Sequence, residues 1–492
     1  MKYILSIDQS TSATKALLFD VSGKIVCREN KDHRQYYPQP GWVEHDPEEI
    51  YVNTISAIRD VIAKSGISTG DIPGIAITNQ RETVVVWDRN TGKPVYNAVV
   101  WQCNRGAQRC RKLIEEGWEE IVRKKTGLII DPYFSATGIS WILDNVPGAR
   151  KRAENGELLF GTIDSWLIWN LTKGKVHATD YTNACRTMLF DINALKWDEE
   201  IMAELGIPQS MAPEVKYADE IFGTTDADAA FRQELPITGV LGDSHAALFG
   251  QLCFEPGTGK ATYGTGSSIM MNIGENPLVS PEGLVTSIGY AVNGSVTYVY
   301  EGNIHCTGGT IKWLQDELEL IKSDSEAELI ALQVPSNEGV YLVPAFAGLG
   351  APYWNNEARA IICGMTRGSK KAHVVRAALE AIAYQVKDLV DLMTERSGIK
   401  LKELRVDGGP VKNNLLMQFQ ADMLQSNINR SEIPEASALG VALVAGLSTG
   451  IWNNTDDLTA LRAGGEVIKA KMDAGKTEEL YRGWKKAVQR SF

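Results

Sequence analysis

The opening of the chain places an acid at the end of a buried strand and follows it with small hydroxyl residues. It then turns the backbone back on itself twice. Tyr3-Ile-Leu-Ser-Ile-Asp8 reads as a strand, Ser10-Thr-Ser-Ala-Thr14 as a turn and Lys15-Ala-Leu-Leu-Phe-Asp20 as a second strand. Ser22-Gly23 turns into a third strand, Ile25-Val-Cys-Arg28. The same arrangement returns far along the chain: strand-like Gly257 to Tyr263, a Gly264-Thr-Gly-Ser-Ser268 turn, then strands over 269–273 and 296–300. Two copies of one meander, separated by helical spacing such as that of Glu48 to Ala63, predict two similar α/β domains facing each other, 1–252 and 253–492.

Length agrees, since 492 residues exceed what one core organises. The net charge of −11 argues against nucleic acid and anionic membranes as partners. Mean hydropathy is −0.17, and no uncharged apolar run approaches the ~18 residues that a membrane span needs. The N-terminal apolar stretch is too short for a signal peptide. Seven scattered cysteines, none in a C-x-x-C pair, suit reduced thiols, a cytoplasmic protein and no zinc site.

Six places in the chain carry candidate chemistry. Asp8 with Thr11, Ser12 and Lys15 has the make-up of a phosphate loop whose acid holds hydrated Mg²⁺, although no Walker G-K-[ST] ending is present; the same run also reads as a polar hairpin. Tyr263-Gly-Thr265-Gly266 can wrap an anion or form a simple tight turn. Asp407-Gly-Gly409-Pro410 followed by Asn413 lets a flat ring lie on bare backbone, or is a capped strand-to-helix turn. Arg81 and Glu82 after the strand 74–78 offer donors and acceptors to vicinal hydroxyls, or sit in solvent as a surface pair. Trp101 can cover a carbon skeleton or fill a core. Asp243 ends the apolar run 237–241 just before a helix, where a general base is often delivered. His245 beside it reads as packing rather than as a catalytic partner. In order, these segments form a phosphate loop, polyol contacts, a base, a second phosphate loop and a ring-binding turn.

Longer runs carry a resemblance. Pro40-Gly-Trp-Val-Glu-His-Asp-Pro47, Ile77-Thr-Asn-Gln-Arg-Glu82, Asn97-Ala-Val-Val-Trp-Gln-Cys103, Thr126-Gly-Leu-Ile-Ile-Asp-Pro-Tyr-Phe-Ser135 and the stretch Gly339 to Trp354 resemble the FGGY family of carbohydrate kinases, within it the glycerol kinase branch. The resemblance runs from Tyr3 to about Trp452. It implies two ribonuclease H-like domains of the actin-like ATPase kind around a cleft, with ATP and Mg²⁺ as cofactors and a homodimer or homotetramer. It implies Asp243 as the base, Arg81, Glu82, Trp101 and Tyr133 as substrate contacts, and Asp8 as the metal-organising acid. Thr11, Ser12, Lys15 and Thr265 match its phosphate contacts, and Gly308, Gly409 and Asn413 its nucleotide contacts.

The chain departs from that pattern in places. Ser10 stands where the branch has Gly, Lys15 where Arg is commoner, and Lys312, near the nucleotide, where it has Gln. Ser244-His245 replaces Gln-Gln, and Ser268 replaces a Phe that packs on the substrate carbons. Losing such an aromatic wall weakens apolar packing by about 2 kcal/mol or more and frees space. Ala230-Phe-Arg-Gln-Glu234 lacks the Gly-rich, Thr-Arg-ending loop of fructose-bisphosphate-inhibited relatives, so no such inhibition is expected. The expected activity is ATP-dependent phosphorylation of a terminal polyol hydroxyl, glycerol leading. A four- or five-carbon polyol or ketose is the alternative, and a non-catalytic sugar sensor is the reading from outside the class.

Overall fold

The computed structural model describes residues 1–492 except 227–230, 232, 281, 351, 354, 356, 432–434 and 462–464. Ala230 and Arg232 of the fructose-bisphosphate comparison, and Ala351 and Trp354 of the 339–354 run, lie outside the described residues.

Six strands build the first large sheet: β1 (Tyr3–Gln9), β2 (Ala13–Asp20), β3 (Ile25–Asp32), β4 (Ile75–Asn79), β5 (Ile221–Thr224) and β6 (Pro236–Gly242), in the order β5-β6-β4-β1-β2-β3. β1 runs antiparallel to β2 and parallel to β4, which is parallel to β6. A seven-stranded sheet follows: β7 (Thr258–Tyr263), β8 (Ser267–Gly274), β9 (Val285–Val292), β10 (Ser295–Ile304), β11 (Glu403–Gly408), β12 (Asn427–Arg430) and β13 (Glu466–Ile468), ordered β9-β10-β8-β7-β11-β12-β13. Here too β7 pairs antiparallel with β8 and parallel with β11, which is parallel to β12. Each half thus carries a meander with two parallel strands added beside its first strand, the repeated ribonuclease H-like, actin-like arrangement. The second half also holds β9, which the sequence reading missed and which pairs antiparallel with β10 across the Asn293-Gly294 turn.

Helix α1 (Pro47–Ser65) covers one face of the first sheet. Asp46 caps it by accepting from the Glu48 N–H, Glu48 and Glu49 sit in its first turn, and Gly66 ends it in the left-handed region at φ 65°. The opposite face is covered from the other end of the chain. Helix α2 (Asp243–Gly250) follows β6, and α6 (Ala436–Ser448) lies across it and against β1, β4 and β6. The two helices touch backbone to backbone: a Cβ on Gly440 would overlap the Ala246 carbonyl, and one on Gly250 the Ala436 carbonyl. The turn at 252–253 joins α2 to β7, yet α6 returns past it to the first sheet, so packing interlocks the halves. Between α2 and α6 in sequence lie α3 (Gly308–Asp316), α4 (Lys371–Ser397) and α5 (Asn414–Leu424), which pack on the second half.

A smaller sheet, in the order Gln35–Tyr36, Glu44–His45, Ala98–Val99, Val84–Asp88 and Leu158–Thr162, flanks the first half and carries Trp101 just beyond its third strand. Among the described residues, no helix is long and apolar enough to cross a membrane.

Candidate active site

The carboxyl ends of the parallel strands in both halves open onto one cavity of about 700 Å³. From the first half, β4 delivers Gln80-Arg81-Glu82 and β6 delivers Asp243 at the first turn of α2. Arg81 and Glu82 are only 6% and 2% exposed, so they are not a solvated surface pair. Arg81 Nε lies 3.2 Å from Asp243 Oδ1, and its Nη1 donates to Glu301 Oε1 at 3.1 Å. Arg186 completes the set, donating to Glu82 Oε1 at 2.8 Å, Glu301 Oε2 at 2.7 Å and Ser287 Oγ at 2.8 Å. Burial works to raise Glu301, but Arg186 and Arg81 overcome it and hold that carboxyl below its usual range. In Glu82 burial prevails over the same two arginines and the carboxyl is pushed up.

Trp101 and Tyr133 meet edge to face, ring centres 5.4 Å apart, and form an aromatic side wall. Trp101 Nε1 donates to Thr11 Oγ1 at 2.9 Å, tying this wall to the 10–14 turn. Asp243 is 37% exposed in its side chain, open toward the cavity, and its Oδ1 accepts the Ser244 N–H at 2.6 Å. His245 is fully buried with neither ring nitrogen partnered among the described residues, and burial, with Arg81 and Arg186 near, holds it well below its normal range; it packs as a neutral ring.

The second half supplies the opposite wall: Lys260 and Thr262 of β7, the Gly264–Gly266 turn, Ser267 and Ser268 of β8, and Asn303 of β10. Two loops are zipped together beneath it, because the amides of Thr307 and Gly309 donate to the Thr265 carbonyl and that of Gly308 to the Gly264 carbonyl. The Gly308 N–H is therefore committed to protein, and its bare Cα lets the two loops close on each other, since a Cβ there would sit 2.5 Å from Gly264 O. Among the described residues, the buried Ser268 Oγ has no hydrogen-bond partner.

Of the residues singled out in the sequence, Thr11, Arg81, Glu82, Trp101, Tyr133, Asp243, Ser244 and Ser268 line this one cavity. The others surround it. Asp8 and Lys15 face each other across β1 and β2, 3.6 Å apart, and Lys15 reaches Glu435 at 2.8 Å, just ahead of α6. Ser12 and Thr265 are exposed at the tips of their turns. Gly409 opens the turn Pro410–Lys412 with open space where a Cβ would stand. Asn413 caps α5 through the Leu416 N–H at 2.9 Å, leaving its buried Nδ2 unpartnered. Lys312 does not reach the cavity; it is exposed on α3, 4.0 Å from Asp316.

Among the described residues no three His, Cys, Asp or Glu side chains cluster as a metal cage. The residues present do fit a hydrated divalent cation. Asp8 is raised to about 6, mainly by burial; Lys15 opposes the shift, while Glu435 and Asp243 add to it. A buried carboxylate with Glu435 and Asp243 near it suits Mg²⁺, which keeps waters and takes phosphate oxygens instead of demanding a protein cage.

Arg186, Glu301 and Lys260 escaped the sequence reading. Each had one signal: a charge embedded in an apolar strand or small-residue run, as in Val299-Tyr-Glu301 and Gly259-Lys-Ala261.

Comparison with known proteins agrees with this geometry. Residues 3–250 match the N-terminal domain model of the FGGY family of carbohydrate kinases and residues 259–449 its C-terminal domain model. A glycerol kinase of Caldanaerobacter subterraneus is 54% identical over 100% of this chain and 99% of its own length. Glycerol kinase 2 of Thermotoga maritima is 52% identical over 100% and 99%. The crystal structure of Plasmodium falciparum glycerol kinase with ADP superposes with a TM-score of 0.96 at 40% identity, covering 100% of this chain and 98% of that one. A ligand-bound xylulose kinase from Lactobacillus acidophilus, at 20% identity and TM-score 0.88 over 100% and 99%, shares the fold. With both family domains present in order and full-length relatives above half identity, the chain belongs to the FGGY family of carbohydrate kinases.

Proposed function

We propose that the chain transfers the terminal phosphoryl group of ATP to the terminal hydroxyl of a small polyol, with glycerol the leading acceptor and glycerol 3-phosphate the product. The observation that carries this reading is the single cleft in which Asp243 stands between Arg81–Glu82 on one wall and the Gly264–Gly266 turn on the other. Relatives named glycerol kinase along the whole chain support the acceptor.

In this reading Glu82 and Arg81 accept from and donate to two hydroxyls of the acceptor, and Trp101 with Tyr133 covers its carbons. Asp243 takes the proton of the attacking hydroxyl as the oxygen–phosphorus bond forms and the bond to the ADP oxygen breaks. Thr11, Ser12, Lys15 and Thr265 contact the phosphates, and Gly308, Gly409 and Asn413 the nucleoside end. Asp8 would hold Mg²⁺, and the metal, when bound, would offset charge on the phosphate oxygens. The domain division is 1–252 and 253–492. The seven cysteines stand as free thiols, in keeping with a cytoplasmic enzyme, and a homodimer or homotetramer is the assembly carried over from the family.

Ser268 favours a second reading of the acceptor. A buried hydroxyl without a partner on a cavity wall wants one from the ligand, and with Ser244 beside Asp243 on the other wall it gives the cavity hydroxyls that a four- or five-carbon polyol or ketose would satisfy. The test is coupled ADP release with Mg-ATP over glycerol, dihydroxyacetone, erythritol, pentitols, ribulose and xylulose, compared by kcat/KM. A lead of about 100-fold for glycerol establishes the first acceptor, and a lead for a longer one the second. ATP turnover without any phosphorylated acceptor overturns both. Asp243→Asn should abolish transfer and leave ADP affinity unchanged; retained turnover removes Asp243 as the base.

A further inference from the structure

Lys260 stands apart from every residue discussed so far. It lies inside β7, two residues before Thr262 and so on the same face of the strand, and its side chain lines the cavity while only 1% of the residue is exposed. An ammonium group has three protons to place. Among the described residues Lys260 Nζ places one, on Thr262 Oγ1 at a long 3.2 Å, and no carboxylate comes within ion-pair distance. The nearest acids are otherwise engaged. Asp407, register partner of Thr262, accepts from Gln251 Nε2; Glu301 is held by Arg81 and Arg186, and Asp243 by Arg81. The electrostatic surroundings agree, since burial lowers the Lys260 pKa more than Asp407 and the other acids raise it.

A buried cation without a counter-ion is expensive for the fold, and replacing it with an apolar group of the same length is often neutral or stabilising. A place where the fold bears such a penalty inside a cleft is a candidate for function. β7 leads directly into the Gly264–Gly266 turn, so this ammonium lies at the foot of the loop that faces Asp243. The missing partner is an anion, and it must arrive with substrate.

We propose that Lys260 Nζ is a catalytic group that hydrogen-bonds a non-bridging oxygen of the phosphoryl group as it passes from ATP to the acceptor hydroxyl. This rests on the kinase reading above. Lys260 keeps all its protons: the acceptor's proton goes to Asp243, the new oxygen–phosphorus bond forms, and the bond to the ADP oxygen breaks. What Lys260 contributes is fixed positive charge in a water-poor site, greatest where the equatorial oxygens carry most charge.

Lys260→Met keeps the length and removes the charge. The expected result is a fall in kcat of about 100-fold or more with little change in the KM for ATP, and a melting temperature equal to or above that of the wild type. A second readout needs no turnover. Calorimetric affinity for ADP with aluminium fluoride and acceptor, a mimic of the phosphoryl group in flight, should fall about 100-fold in Lys260→Met, while affinity for ADP alone stays unchanged. Lys260→Arg should restore part of both. If Lys260→Met keeps kcat within about threefold, or keeps the gain in affinity for the mimic over ADP, the proposal is wrong. If the variant melts lower and loses ADP as well, the lysine is structural and the proposal is equally wrong. If the wild type itself gains nothing for the mimic over ADP, it is the kinase reading that has failed.

Discussion

Asp8 illustrates how one buried carboxyl sets a pH response. Its folded value of about 6 lies above the usual 3.8 of a free aspartate, chiefly because burial disfavours its charge. The folded state therefore holds this proton more tightly than the unfolded chain. The stabilising contribution is complete below about 4 and is lost as pH rises through 6, a difference of about 3 kcal/mol if no cation intervenes. Asp8→Asn should consequently melt above the wild type at pH 8 in the absence of Mg²⁺ and match it at pH 4. If Asp8 organises the metal, kcat/KM at subsaturating Mg²⁺ should fall on the acid side near pH 6. That limb should move to lower pH as Mg²⁺ is raised, because cation and proton compete for one carboxyl. A limb indifferent to Mg²⁺ would separate Asp8 from the metal. Ser268 governs the acceptor at the same scale. Ser268→Phe fills the far wall with apolar surface, so glycerol turnover should hold or rise while four- and five-carbon acceptors lose about tenfold or more in kcat/KM. An unchanged acceptor ranking would show that this wall does not touch substrate.

At the scale of elements, the sequence disclosed the meanders, α1 and the strand-to-helix turns, because apolar runs bounded by glycine and hydroxyl residues encode them locally. Asp243, Arg81, Glu82 and Trp101 were legible because each follows directly on such a run. Arg186 was not, since its role depends on Glu82 and Glu301, which lie 104 and 115 positions away. Pairing at that range leaves no periodicity to read. Likewise the small residues of α6 announced a close-packed helix without naming its partner. The partner is α2, and the contact leaves no room for one further carbon at Gly440. Gly440→Ala improves helix propensity yet should destabilise the fold by about 1–3 kcal/mol or more, seen as a lower urea midpoint, because backbone atoms cannot step aside as a side chain can. A midpoint equal to or above wild type would mean that the helices can separate without penalty.

Across the whole molecule, the two halves are fastened at three levels. Helices α2 and α6 cross behind the cleft, Arg81 of one half grips Glu301 of the other at its base, and Lys15 holds Glu435 near its rim. These fastenings hold the Gly264–Gly266 turn and Asp243 on facing walls of one cavity.

The place of α6 also governs how the chain comes into being. Ile4, Leu17, Phe19, Ala76 and Leu241 of the first sheet are covered by Ala438 to Ala445, residues made nearly two hundred positions after that sheet is complete. While the ribosome works through the second half, the first presents an uncovered oily face to the cell. Its final layer arrives only once residues 438–445 have been made, so the nascent first half stays uncovered until its own distant helix emerges to shield it.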